Sequence, residues 1–226
     1  MPPSVMTASQ QHMFGGRSGA IAPRKLHLVA APTTGPTTAA HTDELRALSD
    51  RALASAAAIG DRAAFEEIVR RFGPDMLRYS CYLLPDRGAA EEIVQDALVA
   101  AWTGLGRYRA ESTLRTWLFS IVTNKVTDHR RRRSIPAAEA WVFDRPSTDP
   151  RHNPHTAISN SDFLIALDTA LGELPYRQRA CWLLREVEGL KLTEIGTVMS
   201  LSPNAVRGHL ARARTTLGRT LQDWER

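Results

Sequence analysis

The sequence predicts an all-α protein: two small helical domains joined by an extended linker. Three observations carry this. Apolar residues recur at helical spacing between residues 43 and 133, and the pattern resumes from 161. Between them, residues 134–160 hold Pro136, Pro146, Pro150 and Pro154, charges of both signs and little periodicity, the composition of an extended tether. Residues 1–41 are rich in Pro, Gly, Ala, Ser and Thr and read as a disordered extension. Their apolar part, Leu26 to Ala31, is too short and too close to Arg24 and Lys25 for a signal peptide.

The boundaries thus predicted are 1–41 for the extension, 42–133 for the first domain, 134–160 for the linker and 161–226 for the second domain. A chain of 226 residues with 43% hydrophobic content can fill two small cores. A formal net charge of +5 and a pI near 9.7 suit a nucleic-acid partner without requiring one. Cys81 and Cys181 lie far apart among apolar residues, which predicts buried thiols in a reducing, cytoplasmic setting. No apolar run approaches the roughly 20 residues of a membrane helix.

In the first domain, Leu45, Leu48, Ala52, Leu53 and Ala56 predict a helix over 43–59 that Gly60 stops. Asp61 caps the next, whose buried face is Phe65, Ile68, Val69 and Phe72, and Gly73-Pro74 is expected to break it before a third helix from about Pro74 to Leu84. Asp86 caps a helix with Ala90, Ile93, Val94, Ala97, Leu98 and Trp102 inward. Its other face carries Glu91, Glu92, Gln95 and Asp96, with no basic residue expected to pair with them from the same helix. Such a face is either solvated surface or a dock for a basic partner.

Gly104-Leu105-Gly106 lacks the third glycine and the flanking strand of a dinucleotide site. From Ser112 or Thr113 a long helix is expected to run to Arg133, with Leu114, Trp117, Leu118, Ile121, Val122 and Val126 inward. Thr116, Ser120, Asn124, Thr127 and Asp128 are expected outward. Four arginines, Arg130 to Arg133, close it, favourable to the helix dipole and attractive to phosphate. An aromatic and basic loop beside outward amides suits unstacked single-stranded bases: Tyr108 offers a stacking face, Arg109 a cation, Asn124 a hydrogen bond to a base edge.

The second domain reads as about four helices. Phe163, Leu164, Leu167, Leu171 and Leu174 form one stripe, and Ala180, Leu183, Leu184 and Val187 a second between Tyr176 and Glu188. Leu192, Ile195, Val198 and Met199 form a third, Ser200-Leu201-Ser202 interrupts, and Pro203 starts a helix that Ser202 caps. Along it Val206, Leu210, Ala213 and Leu217 make the apolar stripe, while Asn204, Arg207, His209, Arg212 and Arg214 leave that stripe with no acid among them. A short turn joining an apolar helix to an acid-free basic one fits a helix-turn-helix. A helical hairpin with a solvated basic face is the alternative.

The stretches DRAAFEEIVRRF, AAEEIVQDALVAAW, STLRTWLFSIVTNKVTDHRRRR and LPYRQRACWLLREVEGLKLTEIGTVMSLSPNAVRGHLARAR, in this order, resemble the successive motifs of bacterial extracytoplasmic-function (ECF) sigma factors of the sigma-70 family. The resemblance covers nearly everything outside the N-terminal extension and the tether. It implies a sigma-2-like bundle and a sigma-4-like helix-turn-helix domain. It places Glu91, Glu92, Gln95 and Asp96 on core RNA polymerase. It places Tyr108, Arg109, Trp117, Asn124, Asp128, Arg130 and Arg131 on the promoter −10 element, opened as single strand, with Trp117 alternatively a core residue. It places Asn204, Arg207, Gly208, His209 and Arg212 on the −35 element.

Two positions depart from the family pattern. Gly208 stands where serine is frequent, at a helix-propensity cost of about 1 kcal/mol relative to alanine. His209 replaces a frequent arginine. An anti-sigma partner is a further implication of the resemblance. A stand-alone regulator of duplex operators is the alternative function. An enzyme would need clustered carboxylates or metal ligands, and none is read here; His152 and His155 lack further ligands. No catalytic residue, metal or cofactor is expected.

Overall fold

The computed structural model describes residues 43–133 and 154–222, with backbone alone over 154–162 and at Leu164. The expected disordered extension and most of the expected linker lie outside these residues. Among the described residues every regular element is helical.

After a helical turn over 43–47, α1 spans Asp50–Ala58, α2 Arg62–Leu83, α3 Arg87–Gly104 and α4 Leu114–Arg133. A short 3-10 turn, Leu105–Arg107, links α3 to the loop before α4. The helix expected over 43–59 is broken at Ser49, whose hydroxyl accepts the Ala52 N–H at 3.3 Å and so caps a fresh helix. Asp61 and Asp86 cap α2 and α3 as their positions predict. Thr113 Oγ1 accepts the Thr116 N–H at 3.1 Å and opens α4.

The break expected at Gly73-Pro74 does not occur, and α2 runs through Pro74 as one helix. Proline removes one intrahelical donor. Against that, Ile68, Phe72, Met76, Tyr79 and Leu83 form one continuous buried stripe on both sides of it. Breaking the helix would turn half of that stripe away from α4, so packing overrides the local penalty. Tyr79 lies edge-on to Phe119 of α4, ring centroids 5.4 Å apart, and its hydroxyl pairs with Thr123 Oγ1 at 3.1 Å.

The second domain contains α5, Pro154–Glu173, α6, Tyr176–Trp182, α7, Leu192–Met199, and α8, Pro203–Thr220. Helix α5 begins inside the stretch expected to be extended up to 160. The helix expected from Tyr176 to Glu188 changes character at Leu183: residues Leu183–Val187 form a π-turn, and the Glu188 N–H donates to the Leu183 carbonyl at 2.9 Å. Gly189, with φ of +69°, then turns the chain. Buried Arg179 donates to the carbonyls of Gly172 and Leu174 and so knots the end of α5 to α6.

Both cysteines are free, and burial pushes both thiols up, Cys181 to about 11. No helix among the described residues is long and apolar enough to cross a membrane.

Candidate nucleic-acid interface

Helix α8 is built as its sequence predicts. Ser202 Oγ accepts the Ala205 N–H at 3.2 Å, Pro203 takes the first turn, and Val206, Leu210, Ala213 and Leu217 are buried. Asn204, Arg207 and Arg212 are left exposed, with Gly208 and His209 half-buried between them. These five therefore share one region of α8, and their side chains engage each other: Arg207 donates to Asn204 Oδ1, and Arg212 Nη2 lies 3.3 Å from His209 Nδ1. Burial, then the neighbouring Arg212 and Arg177, lower the His209 pKa, which favours the neutral ring. Arg214 is committed elsewhere, to Glu186 at 2.6 Å. At Gly208 an added Cβ would meet the flexible Arg212 guanidinium at 3.4 Å, an ordinary contact.

The turn before α8 depends on a residue that periodicity does not single out. A Cβ on Gly196 would stand 2.8 Å from the Leu201 carbonyl oxygen, so only glycine lets α7 and the turn close this tightly. The Leu201 N–H returns to the Gly196 carbonyl at 2.9 Å, and Ser200 takes a left-handed backbone, φ 53°. A glycine inside an otherwise apolar helical run, four residues before a turn, was the available signal.

Helix α4 and its preceding loop form the second basic region. Asn124 is exposed, and Asp128, half-buried, accepts from exposed Arg131 at 3.1 Å. Trp117, half-buried, lies on the same helical stripe, packed over Gly104 and against Tyr108, ring centroids 5.2 Å apart. The Tyr108 hydroxyl donates to the Ser112 carbonyl at 2.7 Å, so its ring frames the loop, and burial raises its pKa. Arg109 is exposed at the loop tip beside Ala110, which adopts φ of +56°.

Arg130 departs from the expected set. It is 8% exposed, donates to the Leu83 carbonyl at 3.0 Å and lies 4.8 Å from the Tyr176 ring centroid. Thr116, expected outward, is fully buried, and Thr127 pairs with the Tyr176 hydroxyl at 2.9 Å. Thr116 and Arg130 face the second domain, which explains their burial, whereas Thr127 stays exposed beside Tyr176.

On α3, Glu91, Glu92, Gln95 and Asp96 are all exposed on one face, with exposed Val99 beside them. The expectation that no base of the same helix pairs with this cluster is corrected: Arg87 donates to Glu91 at 2.9 Å, one helical turn away. Asp96 lies 3.8 Å from Lys125 of α4. Glu92 and Gln95 remain exposed between these pairs. Among the described residues no group of three or more His, Cys, Asp or Glu side chains could hold a metal ion.

Comparison with known proteins matches residues 68–135 to Sigma-70 region 2 and residues 164–217 to Sigma-70 region 4. The chain is 30% identical over 176 residues to the RNA polymerase sigma factor NccH of Alcaligenes xylosoxydans, covering 76% of this chain and 95% of that one. It is 28% identical over 171 residues to the RNA polymerase sigma-H factor of Pseudomonas aeruginosa, covering 72% and 89% respectively. Among solved structures, CnrH in complex with the cytosolic domain of CnrY is similar, with 29% identity, a TM-score of 0.58 and coverage of 77% of this chain and 97% of that one. The fold is shared with the sigma factor RpoE of Bartonella quintana, solved with the anti-sigma factor NepR, at 20% identity and a TM-score of 0.57 over 70% of this chain and 96% of that one.

Proposed function

This chain belongs to the sigma-70 family as an ECF sigma factor, and from that premise we propose how its surfaces divide the work of initiating transcription. The observation that carries the proposal is the pairing of two exposed basic regions with one acidic helix face on a chain whose two domains match regions 2 and 4.

The acidic face of α3 docks on core RNA polymerase through Glu91, Glu92, Gln95 and Asp96. Their exposure leaves the carboxylates hydrated before contact, and a basic partner surface would replace that water with charge-assisted hydrogen bonds. The stripe Trp117, Asn124, Asp128 and Arg131, with Tyr108 and Arg109 on the loop, receives the opened −10 strand. Asn124 supplies an amide to a flipped base, and the aromatic pair walls the place where it sits. On α8, Arg207 and Asn204 read −35 base edges, while Arg212 and His209 lie nearer the phosphates. Binding energy at the two elements supports strand opening, and the polymerase performs the chemistry. The chain acts in the cytoplasm, and an anti-sigma protein is a fitting regulator, as in the RpoE complex with NepR.

The direct test mixes the purified protein with bacterial core RNA polymerase and a library of promoter fragments, and sequences the transcripts against a core-only control. The expected result is protein-dependent initiation from fragments sharing two spaced motifs. DNA binding without core association or initiation would favour a stand-alone regulator. In the same assay Asn124→Ala lowers discrimination among −10 variants by about 1 kcal/mol while sparing core binding. An equal loss on every −10 variant would remove Asn124 from base reading.

A further inference from the structure

The two positions at which α8 departs from the family pattern, Gly208 and His209, meet at one side chain. At about 100° per residue Gly208 lies opposite the buried stripe of Val206, Leu210, Ala213 and Leu217, so the outermost line of the helix is bare at that point. Arg212, one turn on, covers the bare backbone: its Nη1, Nη2 and Cζ lie 3.4, 3.7 and 3.9 Å from where a Gly208 Cβ would stand. From there Arg212 Nη2 donates to His209 Nδ1 at 3.3 Å. A guanidinium has no acceptor, so Nδ1 accepts, and the proton of the neutral ring sits on Nε2.

The surroundings of the ring hold it neutral. Half-burial acts first, then Arg212 beside it and Arg177 at the start of α6, and all three lower its pKa. Among the described residues, α5 and α7, which also pack on α8, bring no charged group to bear on it. A second proton, on Nδ1, would set two donors against each other at 3.3 Å and release Arg212. Two arginines and a histidine one proton short of a third cation, with no carboxylate among these groups, lack only an anion.

We infer that His209 and Arg212 form a seat for a phosphate of the −35 duplex that is completed by a proton: DNA enters, the His209 ring becomes charged, and Arg212 leaves Nδ1 for the phosphate. The inference deepens the −35 reading of α8 and rests on it. The incoming phosphodiester supplies the negative charge that the site lacks, and a charged ring with a freed guanidinium gives it charge-assisted hydrogen bonds where the neutral ring offers one neutral donor. The proton comes from solvent, and no bond between heavy atoms changes. Because the ring is harder to charge in the free chain than beside a phosphate, affinity rises as pH falls through the range between the two states and levels off below it. An arginine at position 209 would carry its charge at every pH. The histidine ties −35 binding to acidity.

The test titrates the full chain, by fluorescence anisotropy at constant ionic strength, with a short duplex carrying the −35 motif from the promoter library and with a scrambled duplex, from about pH 8 to about pH 5.5. Wild-type affinity for the −35 duplex is expected to rise by about three- to tenfold toward the acid end, the gain of a charge-assisted hydrogen bond over a neutral one. His209→Gln should lose this rise, and His209→Arg should bind at every pH as the wild type does in acid. Equal pH profiles for the wild type and His209→Gln would overturn the proposal. Calorimetry of the wild type in two buffers of different ionisation heat counts the proton directly, whatever the variants do, and zero uptake at about pH 6 would overturn it as well. Proton uptake that is the same on both duplexes, with no initiation from any promoter, would reject the sigma reading and leave the phosphate seat standing.

Discussion

Two carboxylates in this molecule each lie between two arginines, Glu67 under arginines that reach solvent and Glu188 deep between the domains, and they respond to their surroundings in opposite directions. Glu67, 5% exposed on its side chain, accepts from Arg70 at 2.6 and 2.7 Å and from Arg71 at 2.8 Å, and Arg71 continues to Asp50 of α1. The Arg70 hydrogen bond is the largest influence, and with Arg71 it outweighs burial and draws the pKa down to about 2. Glu188 has a comparable number of donors, yet burial outweighs Arg78 and Arg115 and its pKa is raised. The arginines on Glu67 come from its own helix and arrive when α2 forms. Those on Glu188 come from another domain, and desolvation is the cost of docking it there. The first pair is a fastening within a domain; the second fastens one domain to the other.

That comparison can be broken at several points. The largest effect is expected from Glu67→Gln, which leaves half-exposed Arg70 without its counter-ion and Arg71 with Asp50 alone, and lowers stability near neutral pH by up to about 3 kcal/mol. Because the folded pKa is depressed from 4.5 to about 2, this contribution is present above pH 4.5 and lost as pH falls toward 2. Thermal melts of mutant and wild type should therefore converge near pH 2; a gap of constant size would show that packing and not charge is at work.

Next in size is Arg130→Ala against Arg131→Ala. Losing Arg130 removes the hydrogen bond to Leu83 and the contact with Tyr176, at roughly 2–3 kcal/mol of thermal stability. Arg131, exposed beside Asp128, should leave the melting temperature alone and reduce the salt dependence of DNA binding by about one phosphate contact. Equal melts for the two variants would place Arg130 outside the domain contact.

Arg207→Ala should weaken discrimination at one −35 position by about 1–3 kcal/mol without altering the melt. Loss spread evenly over all −35 sequences would make it a phosphate contact instead.

The smallest effect is the acid response of the contact around Glu188. Facing Glu188 are Asp75, Arg78 and Tyr79 from α2 and Arg115 from α4. A raised pKa within the contact means that making it takes up a proton. The contact should thus tighten as pH falls from neutral toward 4.5 and be weakest above the raised value. Small-angle X-ray scattering between pH 7 and 5 measures it, and the trend should vanish in Glu188→Gln.

These contrasts also mark where the sequence was readable. The stripe of Val206, Leu210, Ala213 and Leu217 and the cap at Ser202 are local facts, and the structure has them where the sequence places them. The expected outward residues of α4 divided: Asn124 and Thr127 are exposed and Ser120 and Asp128 half-buried, while Thr116 is buried against the other domain, as is Arg130, which was expected on DNA. Helical spacing identifies the face that meets the core, but says nothing about a second, polar face covered by residues as far as 78 positions away. Glu188 and Arg115 each look like ordinary surface charge in the sequence, since neither has its partner within its own helix. The unbroken α2 failed for the converse reason, because the packing around Pro74 is set by a helix that local rules do not consult.

The loop between the 3-10 turn and α4 carries a last consequence. Tyr108 is tied to the Ser112 carbonyl, its ring rests on Trp117, and Ala110 already holds a left-handed backbone. A segment shaped before its ligand arrives has given up its conformational entropy during folding, where each fixed residue costs about 1–2 kcal/mol. A base entering here has little ordering left to impose, so more of its contact energy survives as affinity. Loosening the tie, as with Tyr108→Phe, would return that entropy to the free loop and shorten the lifetime of the captured strand.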